Sequence, residues 1–158
     1  MERKRISNLC MENAQITFKN FSGRATQFTP KGLRSFSIIL DPGLAEKMIE
    51  DGWNVRYLRP REEGDEATPI LDVKVRVDED TPIPAEVYLV QNVVKHRLYE
   101  DSIGMLDDMT FDNIDLVIRP YQWEMGAKSG VKAYLKTLYA SGLNDTVTAK
   151  YIDIPLAE

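Results

Sequence analysis

The chain has 158 residues, 43% of them apolar and 28% charged, the proportions of one ordinary globular domain rather than a disordered segment. Its formal net charge of −5 supplies no overall pull toward nucleic acid, although binding depends on where basic residues lie rather than on their sum. No apolar run approaches the roughly 20 residues that cross a bilayer. Met1-Glu2-Arg3-Lys4-Arg5 is basic but leads into no apolar stretch, which predicts no secretory signal, and Cys10 as the lone cysteine excludes an internal disulfide and suits a cytoplasmic location.

In chain order, Ala14 to Asn20 reads as a strand, with Ile16 and Phe18 alternating with Gln15, Thr17 and Lys19. A turn-rich stretch with Ser22-Gly23 and Pro30-Lys31-Gly32 leads to a second strand, Leu33 to Leu40. Asp41-Pro42 starts a helix: Asp41 can accept from free backbone N–H groups, Pro42 fits the first helical position, and Gly52 is placed to cap the end. Trp53 to Arg59 is a strand, followed by an acidic loop from Pro60 to Pro69. Ile70 to Val77 has the clearest pattern, with Leu71, Val73, Val75 and Val77 on one face and Asp72, Lys74 and Arg76 on the other. That alternation marks an antiparallel sheet with one buried and one solvated face. Ala85 to Val90 is a further strand, and Leu98 to Asp108 a short helix or helical turn. Asn113 to Glu124 and Val131 to Tyr139 are two longer strands joined by the hairpin tip Gly126-Ala127-Lys128-Ser129-Gly130. The tail carries a last edge strand near Thr146 to Ile152.

Many short strands with one or two short helices predict a mainly β chain. The expected fold is an OB-fold-like antiparallel β-barrel, because closure removes exposed sheet edges. An SH3-like barrel or a β-sandwich is the alternative. Residues 1–158 form a single OB-like domain in this reading, with a mobile N-terminus over 1–10 and a C-terminal tail from about 143 to 158.

Most catalytic chemistry lacks its residues. His96 is the sole histidine and sits between Lys95 and Arg97, with no orienting partner indicated. One Cys and one His cannot build the usual closed zinc site. Glu62, Glu63, Asp65 and Glu66 lack the alternating oxygen ligands of a calcium loop. The 126–130 stretch has Ala127 where a phosphate loop requires Gly before Lys. The sequence therefore predicts no enzyme, no metal and no cofactor.

What the sequence does offer is basic residues interleaved with aromatics. Arg119, Tyr121 and Trp123 share one parity, so they face one way along a strand. Lys132, Tyr134 and Lys136 do the same on the next strand, alternating with Val131, Ala133 and Leu135. Trp53, Arg56, Tyr57 and Arg59 repeat the composition earlier, Lys74 and Arg76 add charge, and Lys128 tops the hairpin as a finger. Single-stranded nucleic acid asks for this combination, a cationic track for phosphates and flat rings for unpaired bases. The plainer alternative is that Tyr and Trp fill a core or barrel rim while Lys and Arg are merely solvated.

Four strings span most of the chain: Ile16-Thr17-Phe18-Lys19-Asn20-Phe21-Ser22-Gly23, Asp51-Gly52-Trp53-Asn54-Val55, Pro60-Arg61-Glu62-Glu63-Gly64-Asp65 and Lys128-Ser129-Gly130-Val131-Lys132-Ala133-Tyr134-Leu135-Lys136. In these the chain resembles a group of small tailed-phage proteins that look like OB-fold single-stranded DNA-binding proteins. The resemblance implies non-sequence-specific binding of single-stranded DNA in phage replication or recombination, in the cytoplasm of the infected host cell. Asp153-Ile154-Pro155-Leu156 is similar to the acidic tip through which bacterial single-stranded DNA-binding proteins recruit partners, with Leu156 in place of Phe. It implies replication or recombination proteins as partners through the tail. A homo-oligomer is compatible with all of this. The competing reading is a protein–protein interaction module, such as a phage inhibitor of a host enzyme or a DNA mimic. Surface charge separates the two, because a mimic needs a negative face and a binder a basic one.

Overall fold

The computed structural model describes residues 6–25, 31–60, 62–78, 80–91 and 93–142. In chain order its elements are β1 (Leu9–Met11), β2 (Gln15–Asn20), β3 (Arg34–Ile39), α1 (Pro42–Glu50), β4 (Val55–Leu58), β5 (Thr68–Val75), β6 (Glu86–Gln91), β7 (Val94–Leu98), a 3-10 helix (Ile103–Asp108), β8 (Phe111–Met125) and β9 (Lys128–Gly142). The expected edge strand near 146 to 152 and the acidic tip lie outside the described residues, as does Arg61.

One sheet runs in the order β1-β8-β9-β5-β3-β2, with β4 beside β5 and the β6–β7 hairpin beside β9. At its ends the sheet curls toward itself. The Ala14 N–H of the β1–β2 link donates to Ile114 O of β8 at 2.7 Å, but no ladder joins β2 to β8. The result is the partly open, five-stranded Greek-key barrel of the OB type, built from β2, β3, β5, β8 and β9. The OB-like expectation holds. The structure adds two parallel ladders, β5–β9 and β6–β9, to the antiparallel pairing expected, and leaves the barrel open on one side.

Local chemistry explains the elements. The Asp41 carboxylate accepts from the Gly43 and Leu44 N–H groups at 3.1 and 3.4 Å, capping α1, which buries Ala45 and Met48. On β5, Leu71, Val73 and Val75 are buried while Asp72 and Lys74 are exposed, and Arg76, just past its end, is exposed as well. The inward set joins Phe21, Phe36, Ile38, Leu106, Ile118 and Leu138 in one continuous core. Each such side chain stabilises the fold by roughly 1.5–3 kcal/mol through its burial. The hairpin tip is tighter than the five-residue joint expected. Met125 pairs with Lys128, leaving only Gly126 and Ala127 in the turn, and Gly126 at φ 61° supplies the positive φ that a two-residue loop needs at its first position.

Two further expectations change, and one strand is added where none was expected. Leu9 and Cys10 belong to β1, which pairs with β8, so the N-terminal segment is anchored from Leu9 onward rather than free through residue 10. Residues 94–98 form β7, a strand without apolar alternation because Val94, Lys95, His96 and Arg97 are all exposed. The helical turn expected over 98–108 is a 3-10 helix confined to Ile103–Asp108. There the Asp107 carboxylate, 3% exposed, accepts from the Phe21 N–H at 2.7 Å and from the Ser22 N–H and Oγ at 3.1 and 2.7 Å. It clasps the turn after β2 to the body of the protein.

Candidate nucleic-acid interface

Adjacent strands β5, β9 and β8 determine which side chains meet. In the β5–β9 ladder Lys74 is opposite Tyr134. In the β8–β9 ladder Arg119 is opposite Tyr134 and Tyr121 is opposite Lys132. On the other parity Val131, Ala133 and Leu135 are buried, so this row faces away from the core. Tyr134 is its centre. The Arg76 guanidinium lies 5.1 Å from the Tyr134 ring centroid, a cation–π contact, and the Tyr121 ring meets Tyr134 edge-on at 5.8 Å. Tyr121 is 55% exposed, so one ring of the pair presents a free face.

Charge on this face is unbalanced. Among the described residues Lys74, Arg76, Arg119, Lys128 and Lys132 form no ion pair. The nearby carboxylate, Asp72, is already engaged. It accepts from Arg56 Nε at 2.6 Å, from Arg56 Nη2 at 3.2 Å and from Ser37 Oγ at 2.6 Å. Partial burial pushes the Asp72 carboxyl up, but the hydrogen bonds from Arg56 and Ser37, with the Arg56 charge, hold it below its ordinary value overall. The hydrogen bond that Arg56 donates to Asp72 in turn raises Arg56, outweighing its slight burial. The acidic stretch Glu62 to Glu66 is exposed in the loop between β4 and β5.

The structure separates the sequence-derived residues into groups. Arg119, Tyr121, Lys132, Tyr134, Lys74 and Arg76 come together. Lys128 is exposed at the hairpin turn. Trp123 shares the parity of Tyr121 but is half-buried, and its indole lies across Gly130, its partner in the ladder. A β-carbon placed on Gly130 would sit 2.9 Å from Trp123 Nε1 and 2.7 Å from Asn54 Oδ1. Lys136 is exposed but leaves the row: Ile118 pairs with Leu135 and Val117 with Thr137, so Lys136 is the extra residue of a β-bulge.

The earlier strand fits less well. Trp53 is 6% exposed and belongs to the core; it bridges to Val131 and presents no ring to solvent. Arg56 is committed to Asp72. Tyr57 is exposed, but alternation places it on the opposite side of β4 from Arg56. Arg59 is exposed beyond the strand end.

Sequence parity also missed a residue. Beyond the bulge Leu138 and Ala140 are buried, so the inward set switches from odd to even positions and Tyr139 turns to the outer face. The signal is present in Leu135-Lys136-Thr137-Leu138, where two core leucines stand three apart instead of two. Among the described residues no group of His, Cys, Asp and Glu could hold a metal ion, and no helix is long and apolar enough to cross a membrane.

A family model described as "Putative phage ssDNA-binding domain" matches residues 1–158. No curated protein sequence matches the chain. Among solved structures, the chain is similar to the single-stranded DNA-binding protein from bacteriophage Enc34 in complex with ssDNA, with a TM-score of 0.57 and 11% identity over 87% of this chain and 88% of that one. A second structure of the Enc34 protein gives a TM-score of 0.53 at 12% identity, over 87% and 82% of the two chains. At such identities the likeness is one of fold, and it agrees with the OB-type barrel. The match over the full sequence carries the assignment: the chain belongs to the phage single-stranded DNA-binding domain family.

Proposed function

From that membership we propose that the protein binds single-stranded DNA, largely without sequence preference, on the outer face of β5, β9 and β8, and serves phage replication or recombination in the infected cell. The observation that carries the site is the unpaired cationic set around two exposed or half-exposed tyrosines. Lys74, Arg76, Arg119 and Lys132 meet phosphates, and Tyr134 and Tyr121 meet base faces. Stacking recognises the π-face that every base has, so such a surface tolerates any sequence. In OB-type barrels the face of the second and third strands and the loop joining the last two are usual binding elements; here the third barrel strand is β5, which carries Lys74, and that loop is the β8–β9 turn bearing Lys128. A DNA mimic would need a negative surface in this place, and the free charges here are positive.

The test is fluorescence anisotropy of labelled oligo-dT titrated at several salt concentrations. Four phosphate contacts predict a log–log salt slope of about −3, from roughly −0.7 per contact on single strands. Tyr134→Leu, which keeps the apolar bulk, should weaken binding by about 10-fold or more, since one base stack is worth roughly 1–3 kcal/mol. Native protein that fails to bind at low salt would sink the proposal.

A further inference from the structure

The outer face continues past the bulge onto a second aromatic cluster, which no sequence pattern marked. Tyr139 of β9 is opposite Tyr88 of β6, and their rings stack at 5.2 Å with an interplanar angle of 11°. Tyr88 is in turn opposite Arg97 of β7. The Lys95 ammonium lies 4.9 Å from the Tyr88 ring centroid and 5.8 Å from that of Tyr139. Arg97 and Lys95 share a parity on β7 and are both exposed. Two acids border this row: Glu86 approaches Arg97 at 3.8 Å, at the outer limit of an ion pair, and Asp115, opposite Tyr139 on β8, accepts from the Asn13 N–H at 2.9 Å. Lys95 forms no ion pair among the described residues.

The two clusters are joined by one strand. Tyr134 and Tyr139 are five residues apart on β9, about 16 Å at the usual rise, with exposed Lys136 on the bulge between them. We infer that Tyr139, Tyr88, Lys95 and Arg97 form a second subsite for the same single-stranded DNA, engaged by nucleotides beyond those held at Tyr134. The inference rests on the function proposed above and extends it from one platform to a two-platform track. The distance fixes the scale, because 16 Å is about five nucleotides at a stacked spacing of roughly 3.4 Å. The β6–β7 hairpin, an arm attached to the barrel through β9, then has a reason to carry two cations on its solvent side.

A stoichiometric titration with poly-dT, followed by intrinsic tryptophan fluorescence, gives the number of nucleotides occluded per protein, and anisotropy with dT20 gives affinity. The double variant Lys95→Gln/Arg97→Gln changes exposed side chains and should keep its melting temperature. We expect its occluded site to shorten by several nucleotides and its dT20 affinity to fall about 10-fold. Tyr139→Leu should shorten the site likewise. An unchanged site size and affinity in both variants would overturn the second subsite while leaving the Tyr134 platform standing. Native protein that binds neither polymer would overturn the platform and the subsite together.

Discussion

Around the 3-10 helix Lys19, Arg34 and Asp107 are bound by the protein itself; the cation row on the outer face of β5, β9 and β8 is not. Lys19 donates to Leu106 O at 3.0 Å and to Met109 O at 2.7 Å and lies over the Phe111 ring. Arg34 holds Phe21 O and Asp78. Asp107 gathers three donors from Phe21 and Ser22. Lys74, Arg119 and Lys132 have no such partners among the described residues. The same residue types therefore do two jobs, and composition cannot separate them. What separates them is whether a complementary group lies within hydrogen-bonding reach in the folded chain.

That contrast can be broken from either side. The largest effect belongs to the clasp. Asp107→Ala strands the Phe21 and Ser22 N–H groups, and should cost about 3 kcal/mol of stability, read as a lowered urea midpoint. Its DNA affinity, measured where the variant is folded, should stay within about twofold of native. A large affinity loss there would mean that the two regions are not independent.

The converse is Lys74→Gln/Lys132→Gln. Stability should move by no more than about 0.5 kcal/mol, because Lys74 is exposed, Lys132 is half-buried and neither forms an ion pair among the described residues. The salt slope of oligo-dT binding should become shallower by about 1.4, two phosphate contacts at roughly 0.7 each. A melting temperature that falls with the slope unchanged would place these lysines with Lys19 instead.

The smallest effect lies at the border, in the Arg56–Asp72 pair. Asp72 is held below its ordinary value, so its stabilising contribution is complete above the unfolded value near pH 3.9 and fades as pH falls through the lower folded value. Both side chains are about half exposed, so the contribution is below about 1 kcal/mol, and urea unfolding of Asp72→Asn against pH should show only a slightly flatter acid limb. The same variant frees Arg56, and oligo-dT affinity at neutral pH should rise a few-fold.

Legibility followed the physics of each segment. The strict alternation of Leu71, Val73 and Val75 with Asp72 and Lys74 made β5 readable, because one face is buried and the other wet. Asp41-Pro42 marked the start of α1 through local backbone chemistry alone. β7 could not be read, since a strand exposed on both sides has no hydrophobic period, and β1 is too short to show one. The row of Arg119, Tyr121, Lys132 and Tyr134 was legible from parity. Trp53 was misplaced because its burial depends on Val131, far along the chain, and Arg56 because its partner Asp72 sits on another strand. Tyr139 was lost to one extra residue in β9, which inverted every parity after it.

One strand gathers most of the distant pairings. β9 is antiparallel to β8 and parallel to both β5 and β6, joining Val73 to Ala133 across sixty residues of chain. Such non-local contacts carry a loop-closure cost before they return any stability, and they slow folding. Synthesis delivers the chain N-terminal end first, so β5, β6 and β8 wait with bare edges until β9 emerges to pair with them. For this protein the interval before that strand docks is the period of greatest exposure to aggregation.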